Sequence, residues 1–533
     1  MTWNIPRMLR FPALIGIPLV LRIGVWLVWR HGFPWGDGLF YGAIAEHIYQ
    51  FRVAHDYLLL FPPVYPLLVA LFRPLLPLEG SLVLVSVLFG SLIPFLVWGI
   101  TKIFTSERTA WTAWALTACS PLLLGLSAEC LADSLFIFFI TGALWAFLKA
   151  CRTDKYGFYL LFSLCSGLAI QTKPEALVLV AVQCGIGLFL IRKIPLGPRV
   201  WLWVTVWGMI VLIGVPYGLF LRERAGQWMI SGKAPLNLLH ARAKAETDDH
   251  AQELKRVYEQ AFSLDSQGNL SFLSSKDGFA GYLLDDPVRA VSVYSRNVRN
   301  GMSILSPGAF PLLLAACIGA VSLGRERRWI FLVALCSPVV LILFPPFFVS
   351  LAQPSFHPGR LAGPLIPILA VLAAVGLSHL PRLPFLSADR VLLCVLVSWI
   401  IGCLAYTGFE TYRLDRANHG ERRPHDLHRM RVHDWLQENT SSDETIASTS
   451  LLDDAFGKRR TVWLPWEQDG PRLIEYLQLR GVVYVFQQQG GGTHTAGVEA
   501  PEVDPETLGL KKVAELDATS PITVYRIPEK PHL

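Results

Sequence analysis

Apolar runs long enough to cross a lipid bilayer recur along this chain, and they constrain its fold more than any other feature. A helix needs about 18 or more predominantly apolar residues to cross roughly 30 Å of hydrocarbon. Of the 533 residues, 53% are hydrophobic and only 17% are charged, whereas soluble proteins are about a quarter charged. The sequence therefore predicts an all-α polytopic membrane protein.

The apolar runs predict about eleven membrane-spanning helices, the first of which we expect to stay as an anchor rather than to be cleaved as a signal peptide. The predicted spans lie near residues 11–30, 81–104, 109–126, 133–150, 157–172, 175–192, 200–221, 301–323, 329–345, 361–379 and 389–408. The Pro-rich segment 62–78 is interpreted as interfacial or re-entrant, because a further span there would break the charge alternation of the connections.

Lysine and arginine are concentrated in every second connection, including those that hold Arg108, Arg152 and Arg328. By the positive-inside rule these basic connections face the cytoplasm. We therefore expect a protein of the cytoplasmic (inner) membrane whose loops 31–80 and 222–300 and C-terminal region lie on the outer face. A basic cluster at 413–431 opposes this assignment, but long domains translocate despite such charges.

Two domains are predicted: a transmembrane domain at 1–410 and a small extracytoplasmic α/β domain at 411–533. The second alternates helical patterns with the strand-like runs TVWLP, VVYVF and ITVYRI. Its Gly-rich piece QQQGGGTHTAG has no Lys-Ser/Thr pair and opens no helix, which favours a flexible loop over a phosphate site. Loop 222–300 is polar, with a helix predicted near 240–262.

Several classes of ligand are not indicated. All nine cysteines lie in or beside apolar segments, so we expect neither disulfides nor a cysteine metal site. No dense acidic cluster demands a metal, and we predict no cofactor, while a divalent metal stays open. The net charge of +6 is attributed to the loops and not to a nucleic-acid partner.

Cations are rare in the short outer connections, where only Arg52, Arg73, Lys173 and Arg360 occur. A charge near a membrane needs a partner, and phosphate is a natural one. The alternative for each is a helix cap or a lipid headgroup contact. A phosphate ligand is favoured for Lys173 and Arg360 over the other two, although Lys173 could instead pair with Glu175 in the run TKPEA.

Two further basic residues have open interpretations. His357 precedes Arg360 by one turn in QPSFHPGRLAGPL and either approaches the same anion or is structural. Arg22 lies inside the first span, where it either faces a cavity or extends its side chain to the membrane surface.

Four acidic residues at the outer boundary are candidates for chemistry. Asp37 stands between two glycines on a turn before an amphipathic helix, as either an N-cap or a catalytic base. Asp56 is the second aspartate of the same loop. Glu129 and Asp133 are four residues apart and are predicted to share one helical face at the start of the fourth span. They indicate a polar cavity, a bound cation or hydrogen bonds to the hydroxyls of a sugar substrate, and the alternative is an interfacial helix start.

Several segments resemble a known superfamily. An acid after the first span, followed by DGLFYGAIAEHI and PPVYPLL, is similar to the first outer loop of GT-C glycosyltransferases. Family 39 is the most similar group and includes protein O-mannosyltransferases and bacterial transferases of aminoarabinose or galacturonic acid to lipid A. ADSLFIFFITGALWAFLKA and GLAIQTKPEALVL resemble that group's fourth to sixth spans, so the resemblance covers roughly residues 10–410.

The resemblance implies inverting transfer of a hexose or pentose from a polyprenyl-phosphate donor to an envelope lipid, glycan or protein on the outer membrane face. It implies that Asp37 is the base for the acceptor hydroxyl and that Lys173 and Arg360 bind the donor phosphate. Some members carry a second acid where this chain has Gly38, and the aminoarabinose enzymes have Glu-Lys-Pro in place of residues 61–63. These departures argue against aminoarabinose as the sugar.

Two other classes compete with a glycosyltransferase. A transporter also places charges in membrane spans but usually shows internal repeats, which this sequence lacks. A non-catalytic envelope-assembly protein would not need an acid surrounded by outer cations. Convergence of Asp37, Lys173 and Arg360 on one outer cavity would favour the enzyme.

Overall fold

The computed structural model of the chain is mostly helical, with a small sheet near the C-terminus. It describes residues 7–29, 37–50, 56–190, 195–226, 228–233, 235–239, 252, 256–257, 263–265, 284, 286–302, 310–325, 329–343, 360–379, 432, 434–441, 444–448, 460–465, 470–488, 508–516 and 522–528.

Short turns join most helices of the amino-terminal half. These helices are α1 (Arg7–Trp29), α2 (Asp37–Tyr49), α3 (Val64–Phe72), α4 (Leu78–Thr101), α5 (Glu107–Ala118), α6 (Pro121–Ala128), α7 (Asp133–Thr153), α8 (Tyr156–Ile170), α9 (Ala176–Leu190) and α10 (Leu196–Ala225). A 3₁₀ helix at Asp56–Leu59 lies between α2 and α3.

The later helices are shorter and more often interrupted. They are α11 (Pro287–Met302), α12 (Phe310–Arg325), α13 (Trp329–Cys336), α14 (Val340–Leu343) and α15 (Ile366–Ser378), with 3₁₀ helices at Ser337–Val339 and Arg360–Leu365. Pro338 lies within the break between α13 and α14, where its missing N–H disfavours a continuous helix.

Three of the described helices are long and apolar enough to cross a membrane: α4, α7 and residues 197–224 of α10. Helices α5 and α6 meet at an angle of 51° and form a fourth candidate if they count as one broken span. Proline at the start of α6 accounts for the break. These apolar helices fit an integral membrane protein. The number of eleven spans stays a prediction. The predicted span at 389–408 lies outside the described residues.

Helix α4 is at the centre of the amino-terminal bundle, where it packs against α1, α5 and α7. Helix α12 crosses α15 at very close range, because Gly319 and Gly376 carry no side chains at the crossing point. Such small residues allow the backbones of membrane helices to approach closely. Since α15 continues the 3₁₀ helix that begins at Arg360, this crossing helps to position the Arg360 end of that segment.

The Pro-rich segment contains only the nine-residue helix α3, which is too short to cross the membrane. Tyr65 fixes α3 to α4: its buried hydroxyl donates to the carbonyl of Leu82 at 3.0 Å and lies 3.1 Å from the hydroxyl of Ser86. The interfacial or re-entrant position of this segment stays a prediction.

The C-terminal sheet has the strand order β2-β1-β3-β5-β4. Its strands are β1 (Thr445–Ser448), β2 (Arg460–Trp463), β3 (Val482–Gln488), β4 (Lys511–Glu515) and β5 (Ile522–Arg526), and helix α16 (Gly470–Leu479) connects β2 to β3. Strands β2, β1 and β3 are parallel, whereas β5 runs antiparallel to β3 and β4. The three predicted strands are present, and β1 and β4 were not predicted.

The sheet lies against the first loop of the transmembrane part. Strand β2 packs on the 3₁₀ helix Asp56–Leu59, and the guanidinium of Arg472 donates to the carbonyl of Asp265. The α/β domain and the loop that follows Asp37 are therefore on the same side of the molecule. The predicted domain boundary near 410, most of the helix predicted at 240–262 and most of the Gly-rich piece lie outside the described residues.

Candidate active site

Asp37 and Arg360 form the first ion pair of the site. The guanidinium of Arg360 donates to the Asp37 carboxylate, with a distance of 2.7 Å from Nη2 to Oδ2. Asp37 is the first residue of α2, where the helix dipole favours a carboxylate. Arg360 begins its 3₁₀ helix and has a side chain that is only 10% exposed, against 23% for Asp37.

Lys173 and Asp133 form a second ion pair, with 2.7 Å between Nζ and Oδ1. Asp133 opens α7, and Lys173 lies in the turn between α8 and α9, where its amide donates to the carbonyl of Ala169. This contact decides against the alternative pairing of Lys173 with Glu175. The sequence could not distinguish these partners, because Asp133 is 40 positions away.

The two pairs belong to one site. Nε of Arg360 lies 3.9 Å from Oδ2 of Asp133, so Arg360 is shared between both carboxylates. Gly363 makes this approach possible, because a side chain there would meet Ile137 on α7 and Leu126 on α6. The 3₁₀ helix therefore rests directly on the start of α7.

Lys233 is a member of this site that sequence reasoning missed. Its Nζ lies 3.9 Å from Oδ2 of Asp37 and 4.7 Å from the centre of the Phe61 ring. The backbone holds it there: the amide of Gly232 donates to the carbonyl of Leu59 at 2.7 Å, and the hydroxyl of Ser231 donates to that of Leu60. No signal in the sequence separated Lys233 from the other charges of loop 222–300.

The five charged residues Asp37, Asp133, Lys173, Lys233 and Arg360 form what we name the outer charge cluster, after the membrane face that the sequence predicts for it. Within it, three cations face two carboxylates, which leaves one positive charge in excess. A partly buried charge without a counter-ion is costly, and an anion that binds there would offset this cost. Arginine and lysine are the side chains that most often bind phosphate.

The ionisation of Asp37 is set by its neighbours. Burial by itself would raise the pKa of this carboxyl, but the charges of Lys233, Arg360 and Lys173 together hold its pKa well below the ordinary range. Burial, followed by the negative charges of Asp37 and Asp133, raises the pKa of Tyr41 well above its usual value. The site therefore presents an ionised Asp37 beside a neutral tyrosine hydroxyl.

Of the other predicted acids, Glu129 is separated from Asp133 by a break in the helix. Glu129 follows the end of α6 in an extended conformation, and α7 begins only at Asp133. The prediction that the two share one helical face is therefore wrong, because spacing predicts a common face only within a continuous helix. Asp56 begins a 3₁₀ helix, but its side chain lies outside the description, as does all of His357.

Two of the remaining basic candidates, Arg73 and Arg22, have structural partners. Arg73 pairs with Glu46 at 2.7 Å and also donates to the carbonyl of Leu76. Arg22 is fully buried in α1 and donates to the hydroxyl of Ser127 at 3.1 Å, so its side chain does not extend to the membrane surface. Arg52 lies outside the described residues.

Comparisons with known proteins agree with this architecture. The family model described as dolichyl-phosphate-mannose-protein mannosyltransferase matches residues 61–217. The structure of ArnT from Cupriavidus metallidurans bound to undecaprenyl phosphate superimposes with a TM-score of 0.55 and 14% identity, over 98% of this chain and 100% of that one. No curated protein matches the sequence.

The fold is also similar to that of archaeal oligosaccharyltransferase from Archaeoglobus fulgidus. Its apo form superimposes with a TM-score of 0.53 and 14% identity, over 92% of this chain and 70% of that one. AglB of the same organism, in complex with an inhibitory peptide and a dolichol-phosphate, has a TM-score of 0.50. The matched family and these structures all belong to the GT-C glycosyltransferase superfamily, so the resemblance seen in the sequence is confirmed and the chain has the GT-C fold.

Proposed function

We propose that this protein is a glycosyltransferase that moves a sugar from a polyprenyl-phosphate donor to a hydroxyl of an envelope lipid, glycan or protein on the outer face of the membrane. One observation carries the proposal: Asp37, Lys173 and Arg360, which are far apart in the sequence, meet in the outer charge cluster. This convergence supports an enzyme over a transporter or an assembly protein.

The donor phosphate is assigned to Lys173 and Arg360. Transfer leaves a phosphate as the leaving group, so fixed cations that stabilise its developing charge replace a strong acid. The excess positive charge of the cluster fits an anionic donor. The structures of similar fold that hold undecaprenyl phosphate and dolichol-phosphate support this donor class.

Asp37 is assigned as the base. It is ionised, it lies beside the proposed phosphate ligands, and it is open enough to meet an acceptor hydroxyl. A hydroxyl is a poor nucleophile, and a positioned base accelerates such reactions by roughly 10²–10⁴-fold. Attack on the face opposite the phosphate inverts the anomeric carbon.

The sugar is assigned to the neighbourhood of Asp133. Oδ2 of this residue is buried and accepts no hydrogen bond from the described residues, which leaves it suited to a sugar hydroxyl. Glu129, Asp56 and His357 stay candidate substrate residues. No three His, Cys, Asp or Glu side chains of the described part form a metal-ligand group, and the proposed chemistry assigns no step to a metal.

The test uses the full-length protein in lipid nanodiscs, with a panel of undecaprenyl-phosphate hexoses and pentoses as donors and envelope extract from a deletion strain as acceptor. Asp37→Asn keeps the shape of the side chain, so it should fold and bind donor but lose at least about 10²-fold in transfer. Asp56→Asn serves as the comparison in the same loop.

Near-normal transfer by Asp37→Asn together with its loss in Asp56→Asn would move the base to Asp56. If neither substitution changed transfer, or if no donor of the panel were consumed by the wild-type protein, the proposed function would be rejected. Mass spectrometry of envelope lipids and glycans from the deletion strain identifies the acceptor.

A further inference from the structure

We propose that Lys233 is a third ligand of the donor phosphate, and that it leaves Asp37 for the phosphate while Asp37 takes the proton of the acceptor. This inference rests on the proposed function and adds a residue that neither the sequence analysis nor the comparisons identify. It is carried by the geometry of the outer charge cluster and by the charge balance of the reaction.

Lys233 is held at the site by its backbone rather than by its side chain. Hydrogen bonds from residues 231–232 to the carbonyls of Leu59 and Leu60 fix the backbone beside the first outer loop. Phe61, over which the Lys233 ammonium lies, is itself stacked on Phe40 with ring centres 4.7 Å apart. The ammonium therefore starts from a defined place.

The side chain of Lys233 is less tightly held than the other two cations. Its distance of 3.9 Å to Asp37 exceeds a hydrogen bond, whereas Lys173 and Arg360 each bind a carboxylate at 2.7 Å. Lys233 is also 32% exposed, against 15% for Lys173 and 10% for Arg360. Of the three cations, Lys233 can thus shift at the lowest cost.

The charge changes of the reaction favour such a shift. The acceptor oxygen forms a bond to the anomeric carbon as the bond from that carbon to the phosphate oxygen breaks, and the electron pair stays on the phosphate. The phosphate then carries a second negative charge. The hydroxyl proton passes to Asp37, which loses its charge in the same step. One negative charge has therefore moved from Asp37 to the phosphate.

The cations that face Asp37 must follow this charge. In the described part, the charged or titratable groups that act on Asp37 or its neighbour Tyr41 are Lys233, Arg360, Lys173, Asp133 and Tyr65. Lys173 stays bound to Asp133, and Arg360 is shared with Asp133. Lys233 has Asp37 as its one carboxylate partner among the described residues, so it is the cation released when Asp37 is protonated.

The position of Lys233 also complements the first outer loop. Residues 61–63 are Phe-Pro-Pro and offer no cation there, and the Lys233 ammonium lies above the first of these residues. The second outer loop thus supplies a positive charge at a place where the first has none.

The experiment compares Lys233→Met with wild type in nanodiscs and measures the binding of two separate ligands. One is purified undecaprenyl phosphate, the product, and the other is an undecaprenyl-phosphate sugar that the wild-type protein consumes as donor. Since the product carries one more negative charge than the donor, Lys233→Met should weaken undecaprenyl phosphate binding at least tenfold more than donor binding. The kcat of Lys233→Met should also fall about tenfold or more. Lys233→Arg keeps the positive charge, so it should restore most of the product affinity and most of kcat.

Lys102→Met is a matched control. Lys102 also has one carboxylate partner, Glu107 at 3.4 Å, and lies 4.8 Å from an aromatic ring, that of Trp98, with a side chain 36% exposed. It is outside the cluster, so both affinities and kcat should be unchanged. Melting temperatures identify any loss of folding, and Lys233→Gln replaces the Met variant if that variant is unstable.

The inference would be overturned if Lys233→Met weakened donor binding and product binding equally, or if its affinities and kcat matched those of Lys102→Met. Either result would leave the proposed function intact. The proposed function fails separately if Asp37→Asn keeps normal transfer. Binding of undecaprenyl phosphate is measured without turnover, so the two failures are distinguishable.

Discussion

Arg360 donates a 2.7 Å hydrogen bond to Asp37 across 323 positions of sequence, joining the start of α2 to the 3₁₀ helix that leads into α15. The same guanidinium lies 3.9 Å from Asp133. One buried cation therefore orients two carboxylates from two different helices. In the proposed reaction it holds Asp37 ionised until donor phosphate competes for its charge.

Lys173→Ala and Arg360→Ala are each expected to weaken donor binding at least tenfold and to lower kcat, because each removes a proposed phosphate ligand. Arg73→Ala is the control: it also removes a cation from a 2.7 Å ion pair, but its partner is Glu46, which is not part of the cluster. Titration with donor measures the affinities. Unchanged affinity and rate in both cluster variants would reject the assignment.

Donor binding should raise the pKa of Asp37. In the free protein the positive charges of Lys233 and Arg360 lower this pKa. The donor phosphate pairs with the same two cations and so weakens their effect on Asp37. A base is active when deprotonated, so activity is lost as pH falls through its pKa. The acid limb of kcat, which reports the bound state, should therefore lie at higher pH than that of kcat/KM. If the acid limbs of kcat and kcat/KM lay at the same pH, the donor phosphate would not compete with Asp37 for these cations.

Gly376→Ala should destabilise the protein by about 1–3 kcal/mol, the usual cost of overpacking. An added Cβ would meet the carbonyl of Ala315 on α12. Transfer should fall as well, because α15 continues the segment that carries Arg360. Gly324→Ala is the control, since Gly324 lies on α12 with open space around it. Thermal unfolding compares the two, and equal melting temperatures would show that the close crossing is absent.

A reporter that works only outside the cytoplasm should be active when it is fused after Leu533. A reporter that works only in the cytoplasm should be active when it is inserted after Asp154. The first expectation follows from the charge alternation and from the packing of β2 on the 3₁₀ helix Asp56–Leu59, which follows Asp37. The second follows from the basic connection at 152–155. A cytoplasmic C-terminal reporter would overturn the predicted topology of the outer loops.

Much of the helical architecture was predictable because it depends on local composition. The predicted spans at 81–104 and 133–150 correspond to α4 and α7, whose apolar length is evident in the sequence. Interruptions were harder to predict: the span at 109–126 is two helices bent by 51°. The break at 129–132 likewise removed Glu129 from the helical face of Asp133, since spacing does not reveal where a helix ends.

The sequence by itself determined that this protein is an apolar helical bundle with a small α/β domain, and it identified Asp37, Lys173 and Arg360 by their rarity and position. Only the tertiary structure decided their partners, because ion pairs depend on distances between helices that are remote in the chain. Lys233 shows this most clearly. Nothing local separates it from other loop lysines, and its place beside Asp37 comes from hydrogen bonds that Gly232 and the Ser231 hydroxyl donate to the carbonyls of residues 59–60.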